Sequence, residues 1–416
     1  SIREVLSPAI RLAEKGFFLS YYEARQFNAY KAFFERNDAA ADIFIRKDKR
    51  PWKGEDRFIQ RDLSKTLKRI AKHGRDGFYT GPVAKMIVEE MKRGNGLISM
   101  DDLFNYSSKY REPVTGSFKG YEVISMGPPS SGGALLINML NMLELYEKDS
   151  LEWNSSDYVH ILTEIERRAY ADRAEHMGDP DYWDVPLEMF KSKEYAEIRT
   201  ADIDINKASP SDEVYAGDPA GYESPETTHY SVVDQWGNAV SVTTTINLGY
   251  GNGCVVKGAG FFLNNEMDDF SSKPGVPNVF GLVGNEANAI EPNKRPLSSM
   301  TPTIILKNNK PFLVIGSPGG STIITTAMQT ILNVVDHDMD IKEAVCAARF
   351  HSQWLPDVIQ IEPRGLAKDV IGNLELRGHK IVPRGGYIGE SNCIMIREDG
   401  IYGGGDCRGE TSAIGY

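Results

Sequence analysis

The chain has 416 residues, 41% hydrophobic and 25% charged, with a formal net charge of -11. That is the composition of an ordinary soluble globular protein with a sizeable core, and the acidic balance argues against a nucleic-acid partner, since no basic patch offsets the repulsion of a phosphate backbone. No apolar run of about 18 residues marks a membrane span, and the opening "SIREVLSPAIRLAEKGFFLS" starts like a helix in mid-domain, not like a signal peptide.

From Ser1 to about Arg111 the chain reads as helices broken by loops. Val83, Met86, Ile87 and Met91 recur at helical spacing until "GNG" ends that helix. "SFKGYEVISM" then alternates like a strand and leads into "GPPSSGGALLINMLNMLELY", where Ser130 or Ser131 can cap a helix with Leu135, Leu136, Met139, Leu140 and Leu143 as its apolar stripe. Its Ser-Ser-Gly-Gly entrance is either an anion-binding helix start or a tight turn. Residues 150–226 read as helical and loop-rich, with "GDPDYWDVP" a turn and "AGDPAGYESPE" of linker character.

After this stretch the texture changes to strands: "HYSVV", "AVSVTTTI", "GAGFFL" and "TPTIILK". "PFLVIGSPGGSTIITTAMQTILNVVD" is strand, glycine turn, helix, and short strands return around "SNCIMIREDG" and "IYGGGD". Cys254, Cys346, Cys393 and Cys407 form no CxxC pair and the seven histidines are scattered, so neither a zinc site nor a dense disulfide framework is indicated and no metal is expected.

If "DQWGN" is a hairpin turn centred on Trp236, Thr245 lies across from Thr227, and period-2 alternation puts Asn247 on the face of Thr245. Strand propensity alone explains threonines there. A threonine hydroxyl becomes a nucleophile only beside a base, and the α-amino group of an N-terminal threonine, with a pKa of about 7.7 to 8.0, is such a base. That chemistry requires the chain to be cut between Glu226 and Thr227.

"TTHYSVVDQWGNAVSVTTTIN", "LNNEMDDFSSKPGVPNVFGLVG", "NKRPLSSMTPTIIL" and "GSPGGS" together resemble the γ-glutamyltranspeptidases of the N-terminal-nucleophile hydrolase superfamily. "GLISMDDL", "GPPSSGG" and "YADRAEHMGDPDY" resemble the family's large subunit, and the chain from Thr227 onward its small subunit. The resemblance implies an α/β fold, a four-layer αββα sandwich, with residues 1–226 and 227–416 as two pieces of one precursor making one domain. It implies that Thr227 cleaves the chain before itself and then takes up the γ-glutamyl group, that Thr245 orients it, and that Gly319 and Gly320 form the oxyanion hole. Glu266 and Asp269, with Asn247, would grip the substrate ammonium, and Ser298 and Ser299 its carboxylate. Asp268 reads as a bland neighbour. "GSPGGST" has no phosphate-reaching lysine, which sets a P-loop aside.

The expected substrates are small γ-glutamyl compounds such as glutathione, with water or the amine of an amino acid or dipeptide as acceptor. No cofactor, nucleic acid or membrane span is expected, and the location would be periplasmic or secreted. "SSKPGVPNVFG" resembles a lid loop that hinders polymeric substrates. Phe280 stands where many such lids carry a tyrosine, so a hydrogen bond from that side chain to Asn247 is not available. Thr322 replaces a common arginine and Cys407 a usual proline. The family's N-terminal segment, with its signal sequence, core strands and carboxylate-clamping arginine, is not in the chain. It is expected to lie elsewhere, because a sandwich without those strands exposes unpaired edges. Alternatives on the same scaffold are a β-lactam side-chain acylase, a poly-γ-glutamate depolymerase, and a non-catalytic relative.

Overall fold

A computed structural model of the chain describes residues 1–214, 227–273 and 275–415. The chain divides into two compact units, Ser1–Tyr110 with Tyr250–Asn265, and Arg111–Gly249 with Glu266–Tyr416.

The first unit is helical, as its sequence periodicity requires. Its core gathers Phe27, Phe34, Phe44 and Phe58, with Phe27 and Phe44 meeting edge to face at 5.3 Å. The helix Gly81–Gly94 buries Val83, Ala84 and Ile87 and stops at Asn95, which takes the left-handed conformation at φ 54°. "GAGFFL" departs from expectation: it forms no strand, only an isolated bridge between Val255 and Phe262. Gly258 and Gly260, at φ 80° and 78°, turn the backbone before a ladder can extend.

Eight strands form the main sheet and hairpin of the second unit: β1 (Val114–Phe118), β2 (Tyr121–Ser125), the hairpin β3 (Thr228–Val233) and β4 (Ala239–Thr244), β5 (Thr303–Lys307), β6 (Lys310–Ile315), β7 (Asn392–Arg397) and β8 (Gly400–Gly405), of which the hairpin stands apart. The six others run in the order β8-β7-β6-β5-β2-β1. The run expected as one strand over "SFKGYEVISM" is therefore two, because Lys119 and Gly120, both at positive φ, reverse the chain. Alternate residues divide the sheet's faces. Ile305, Leu313, Ile315, Cys393 and Met395 join the apolar core formed with α1 (Gly132–Leu143), α2 (Ser156–His176) and α3 (Thr322–Val335). The hairpin packs on β5, β6 and β7.

The hairpin is amphipathic in an unusual sense. Its inner face is polar: Ser231 Oγ donates to the Asn392 carbonyl at 2.9 Å, and Ser241 Oγ to that of Ile315 at 2.9 Å. His229 bonds Thr243 Oγ1 at 2.9 Å and Ser231 Oγ at 3.1 Å, its ring against Gly316. Burial pushes that imidazole down to about 4, so it is neutral. The outer face exposes Tyr230, Val232 and Val240. The chain thus builds the expected α/β sandwich with helices stacked on one side of the sheet and the hairpin on the other.

Candidate functional site

The hairpin register comes from its turn. Asp234 Oδ1 accepts from the N–H groups of Trp236 and Asn238, both at 2.9 Å, and Gly237 at φ 85° closes the reversal. The ladder runs from Val233 opposite Ala239 to Thr228 opposite Thr244, so Thr227 follows in register across from Thr245, as the sequence implies. Glu226, and with it the expected cut, lies outside the described residues. Asn247 arrives differently from the expectation. β4 ends at Thr244, and Asn247 sits in a bend at φ 72° with its N–H donating to Thr245 Oγ1 at 2.8 Å. It reaches the same wall by a turn, not by strand alternation.

Thr227, Thr245, Asn247, Asp269, Ser298, Ser299 and Gly320 line one pocket, together with Arg173 and Phe280. Gly319 precedes Gly320 in the turn between β6 and α3, and Glu266 shares a 3-10 turn with Asp269. The two glycines hold φ 143° and 57°, which L side chains rarely adopt. A Cβ on Gly320 would meet the Phe280 ring at 2.6 Å. Their carbonyls accept from the Thr322 and Ile323 N–H groups at 3.1 and 3.3 Å, while among the described residues no hydrogen bond uses their own N–H groups. Two backbone donors near a hydroxyl suit an oxyanion.

"GPPSSGG" resolves as a tight turn that templates the serine loop. Ser131, the residue before α1, makes no side-chain cap, while Ser130 Oγ accepts from the N–H of Gly132, the first helical residue, at 3.3 Å. Ser131 N–H and Oγ both reach the Ser298 carbonyl at 2.9 Å, Ser130 Oγ donates to the Met300 carbonyl at 2.6 Å, and Ser298 N–H returns to Pro129 at 2.8 Å. "GDPDY" does the same upstream: buried Asp179 accepts from the Arg295 N–H at 2.9 Å.

The acids stand in a different field. Burial, with Glu266 next, pushes Asp269 well above the ordinary carboxylate range, while Arg173 opposes the shift. Burial raises Glu266 too. Arg173, on α2, is fully buried, and desolvation lowers it to about 10. The sequence reading quoted "YADRAEHMGDPDY" without singling this arginine out. No local signal marks it, since Arg167 and Arg168 on the same helix are just as buried.

Two more residues were missed. Asp268 is not bland, since its Oδ2 accepts from the Val279 N–H at 3.0 Å and so anchors the "SSKPGVPNVFG" segment. Gln353 donates to the Phe280 carbonyl at 3.1 Å and accepts from Ser321 Oγ at 2.6 Å, joining that segment to the residue after Gly320. Phe280 itself is buried, held without the hydroxyl that a tyrosine would bring. His351 is buried and bonds Thr325 Oγ1 at 2.8 Å.

Away from the pocket, His160 Nδ1 and His379 Nε2 meet at 2.7 Å beside Glu164, so not all histidines are isolated in space. The Glu164 carboxylate is already taken by Arg168 at 2.7 Å and the Ser209 N–H at 3.1 Å, which marks a structural ion pair. Cys346 and Cys407 form a disulfide that the spacing did not reveal. Among the described residues no helix is long and apolar enough to cross a membrane.

The sequence pattern of the family described as Gamma-glutamyltranspeptidase matches residues 1–416. A glutathione hydrolase proenzyme of Escherichia coli strain K12 is 45% identical over 98% of the chain and 70% of its own length. The glutathione hydrolase proenzyme of Pseudomonas aeruginosa is 41% identical over 98% of the chain and 72% of its own length. Among solved structures, a cephalosporin acylase from Bacillus halodurans superposes with TM-score 0.85 at 26% identity, covering 99% of this chain and 74% of that one.

Proposed function

The chain belongs to the gamma-glutamyltranspeptidase family, and from that premise we propose that it is a self-processing γ-glutamyl hydrolase and transpeptidase acting on glutathione and similar amides. The Thr227 hydroxyl attacks the carbonyl of Glu226, the peptide bond shifts to an ester, and water releases residues 227–416 with a free α-amine. In turnover that amine takes the Oγ proton as Oγ attacks the γ-glutamyl carbonyl. Gly319 and Gly320 N–H groups stabilise the oxyanion, and the proton passes to the leaving amine. Water, or the amine of an amino acid or dipeptide, then attacks the Thr227 ester and restores the hydroxyl. Thr245 orients the nucleophile, Glu266, Asp269 and Asn247 receive the ammonium, and Ser298 and Ser299 the carboxylate.

The observation that carries this reading is the convergence of seven of the nine sequence-derived site residues, drawn from four separate segments, on one pocket. Mass spectrometry of the purified protein should find two fragments meeting at Glu226 and Thr227, and a γ-glutamyl anilide should release its chromophore. An intact chain with full activity would defeat the proposal.

The acylase likeness favours a second reading, removal of a β-lactam side chain. The acid pair weighs against it, because a side chain without an ammonium leaves those carboxyls buried and unmatched; a panel of γ-glutamyl and glutaryl amides decides. A periplasmic or secreted location is supported by the Cys346–Cys407 disulfide, which persists in oxidising compartments.

A further inference from the structure

Arg173 is a buried cation with an unusual set of partners. Its Nε donates to Ser131 Oγ at 2.9 Å and its Nη2 to Ser299 Oγ at 3.3 Å. Among the described residues no carboxylate lies within ion-pair distance of it, although it lines the pocket that holds Asp269. Burying a guanidinium against hydroxyls alone is costly, so a packing role explains it poorly.

The hydroxyl chemistry shows what the arrangement does. A serine oxygen that accepts from a guanidinium must send its own proton elsewhere. Ser131 sends its proton to the Ser298 carbonyl at 2.9 Å. Ser299 makes no other side-chain hydrogen bond among the described residues, and it faces the pocket. Ser298 Oγ is in the same condition, its oxygen accepting from the Met300 N–H at 3.1 Å. Each serine thus has one acceptor site occupied and its proton left to donate, as a carboxylate needs. The fork spans two loops, "GPPSSGG" and "PLSSM", which a lysine's single ammonium reaches less well.

We infer that Arg173 is a positioning residue: its guanidinium holds the Ser299 oxygen so that the hydroxyl donates into the carboxylate subsite, and it supplies a fixed positive charge in the pocket that also holds Asp269. The inference rests on the function proposed above. Tyr170, three residues earlier on α2, donates to the Ser321 carbonyl at 2.5 Å, so one helical face braces the serine loop at one point and the glycine turn at another.

The test is steady-state kinetics of R173K and R173Q on γ-glutamyl p-nitroanilide, using protein that mass spectrometry finds processed. For R173Q, KM should rise about ten- to hundred-fold with kcat changed less than about threefold, the pattern of lost ground-state binding. The acid limb of its kcat/KM profile should move to higher pH, because Asp269 loses the cation that favours its ionised form. R173K keeps the charge but not the fork, so KM should rise less and the acid limb should stay with wild type. If R173Q does not fold, R173K alone decides. Wild-type KM in R173K and R173Q, or a fall in kcat at unchanged KM, overturns the inference while leaving the proposed function standing. A processed wild type without turnover overturns the function and the inference with it.

Discussion

Two buried charge clusters in the second unit have opposite characters. Near the C-terminus, Arg349 pairs with Asp406 at 2.8 Å, and Arg408 with Glu362 at 2.6 Å and Asp406 at 2.8 Å. Two cations meet two anions, the leftover acceptor sites take the N–H groups of Arg349, Ile388 and Ser391, and the Cys346–Cys407 disulfide straps the ends. Burial works to raise Asp406, but Arg349 and Arg408 outweigh it and hold the carboxyl below its ordinary range. In the pocket the same burial wins, and Asp269 rises. There two facing acids meet one arginine that touches neither. A cluster whose charges are matched within the protein serves as scaffold; one left short of a cation fits the proposal of a ligand that brings it.

The largest expected effect breaks the pocket alone. Thr227→Ala should lower kcat on the order of 10⁶-fold and leave the chain uncut, as loss of a nucleophile does elsewhere; gel analysis and anilide turnover check it. On the other side, Asp406→Asn leaves Arg349 buried beside a neutral amide and should destabilise the fold by about 3–5 kcal/mol in denaturant titration. A wild-type midpoint would mean that the C-terminal cluster is not scaffold. Cys346→Ser opens a loop spanning 61 residues and should cost about 2–4 kcal/mol under oxidising conditions, with no difference from wild type in reductant.

The smallest effect has the opposite sign. Asp269 titrates above its ordinary 3.8 in the folded protein, so as pH rises from that value the folded state keeps a proton the unfolded state has lost, and stability falls. Asp269→Asn removes this penalty. It should be more stable than wild type by about 1 kcal/mol near pH 8, equal near pH 4, and raised in KM. Thermal melts at both pH values together with anilide kinetics test the trade. A variant less stable than wild type near pH 8 would move Asp269 into the scaffold class.

Much of this organisation was legible locally. The "DQWGN" turn dictates the hairpin pairing because an aspartate caps its own turn, and "GSPGGS" announces a strand-to-helix corner because only glycine tolerates those φ values. Where local reading failed, a distant partner or a backbone constraint had overruled propensity. Ser131 could have capped α1, yet its oxygen accepts from Arg173 while its proton goes to Ser298. "GAGFFL" has strand composition, yet two positive-φ glycines bend it. Asp268 looked like a solvated acid until the Val279 backbone came down on it.

By itself, then, the amino-acid order determined the hairpin, the glycine corner and the helices. These depend on dihedral limits and side-chain periods that act within about ten residues. Only the tertiary structure decided that Arg173 serves Ser299, that Gln353 ties Phe280 to the glycine corner, and that Cys346 meets Cys407. Those partners are separated by 126, 73 and 61 residues along the chain. Such pairs carry no local signature, because what brings them together is the burial of a shared core, and a hydrogen bond or disulfide forms only once the packing has removed water and set the geometry.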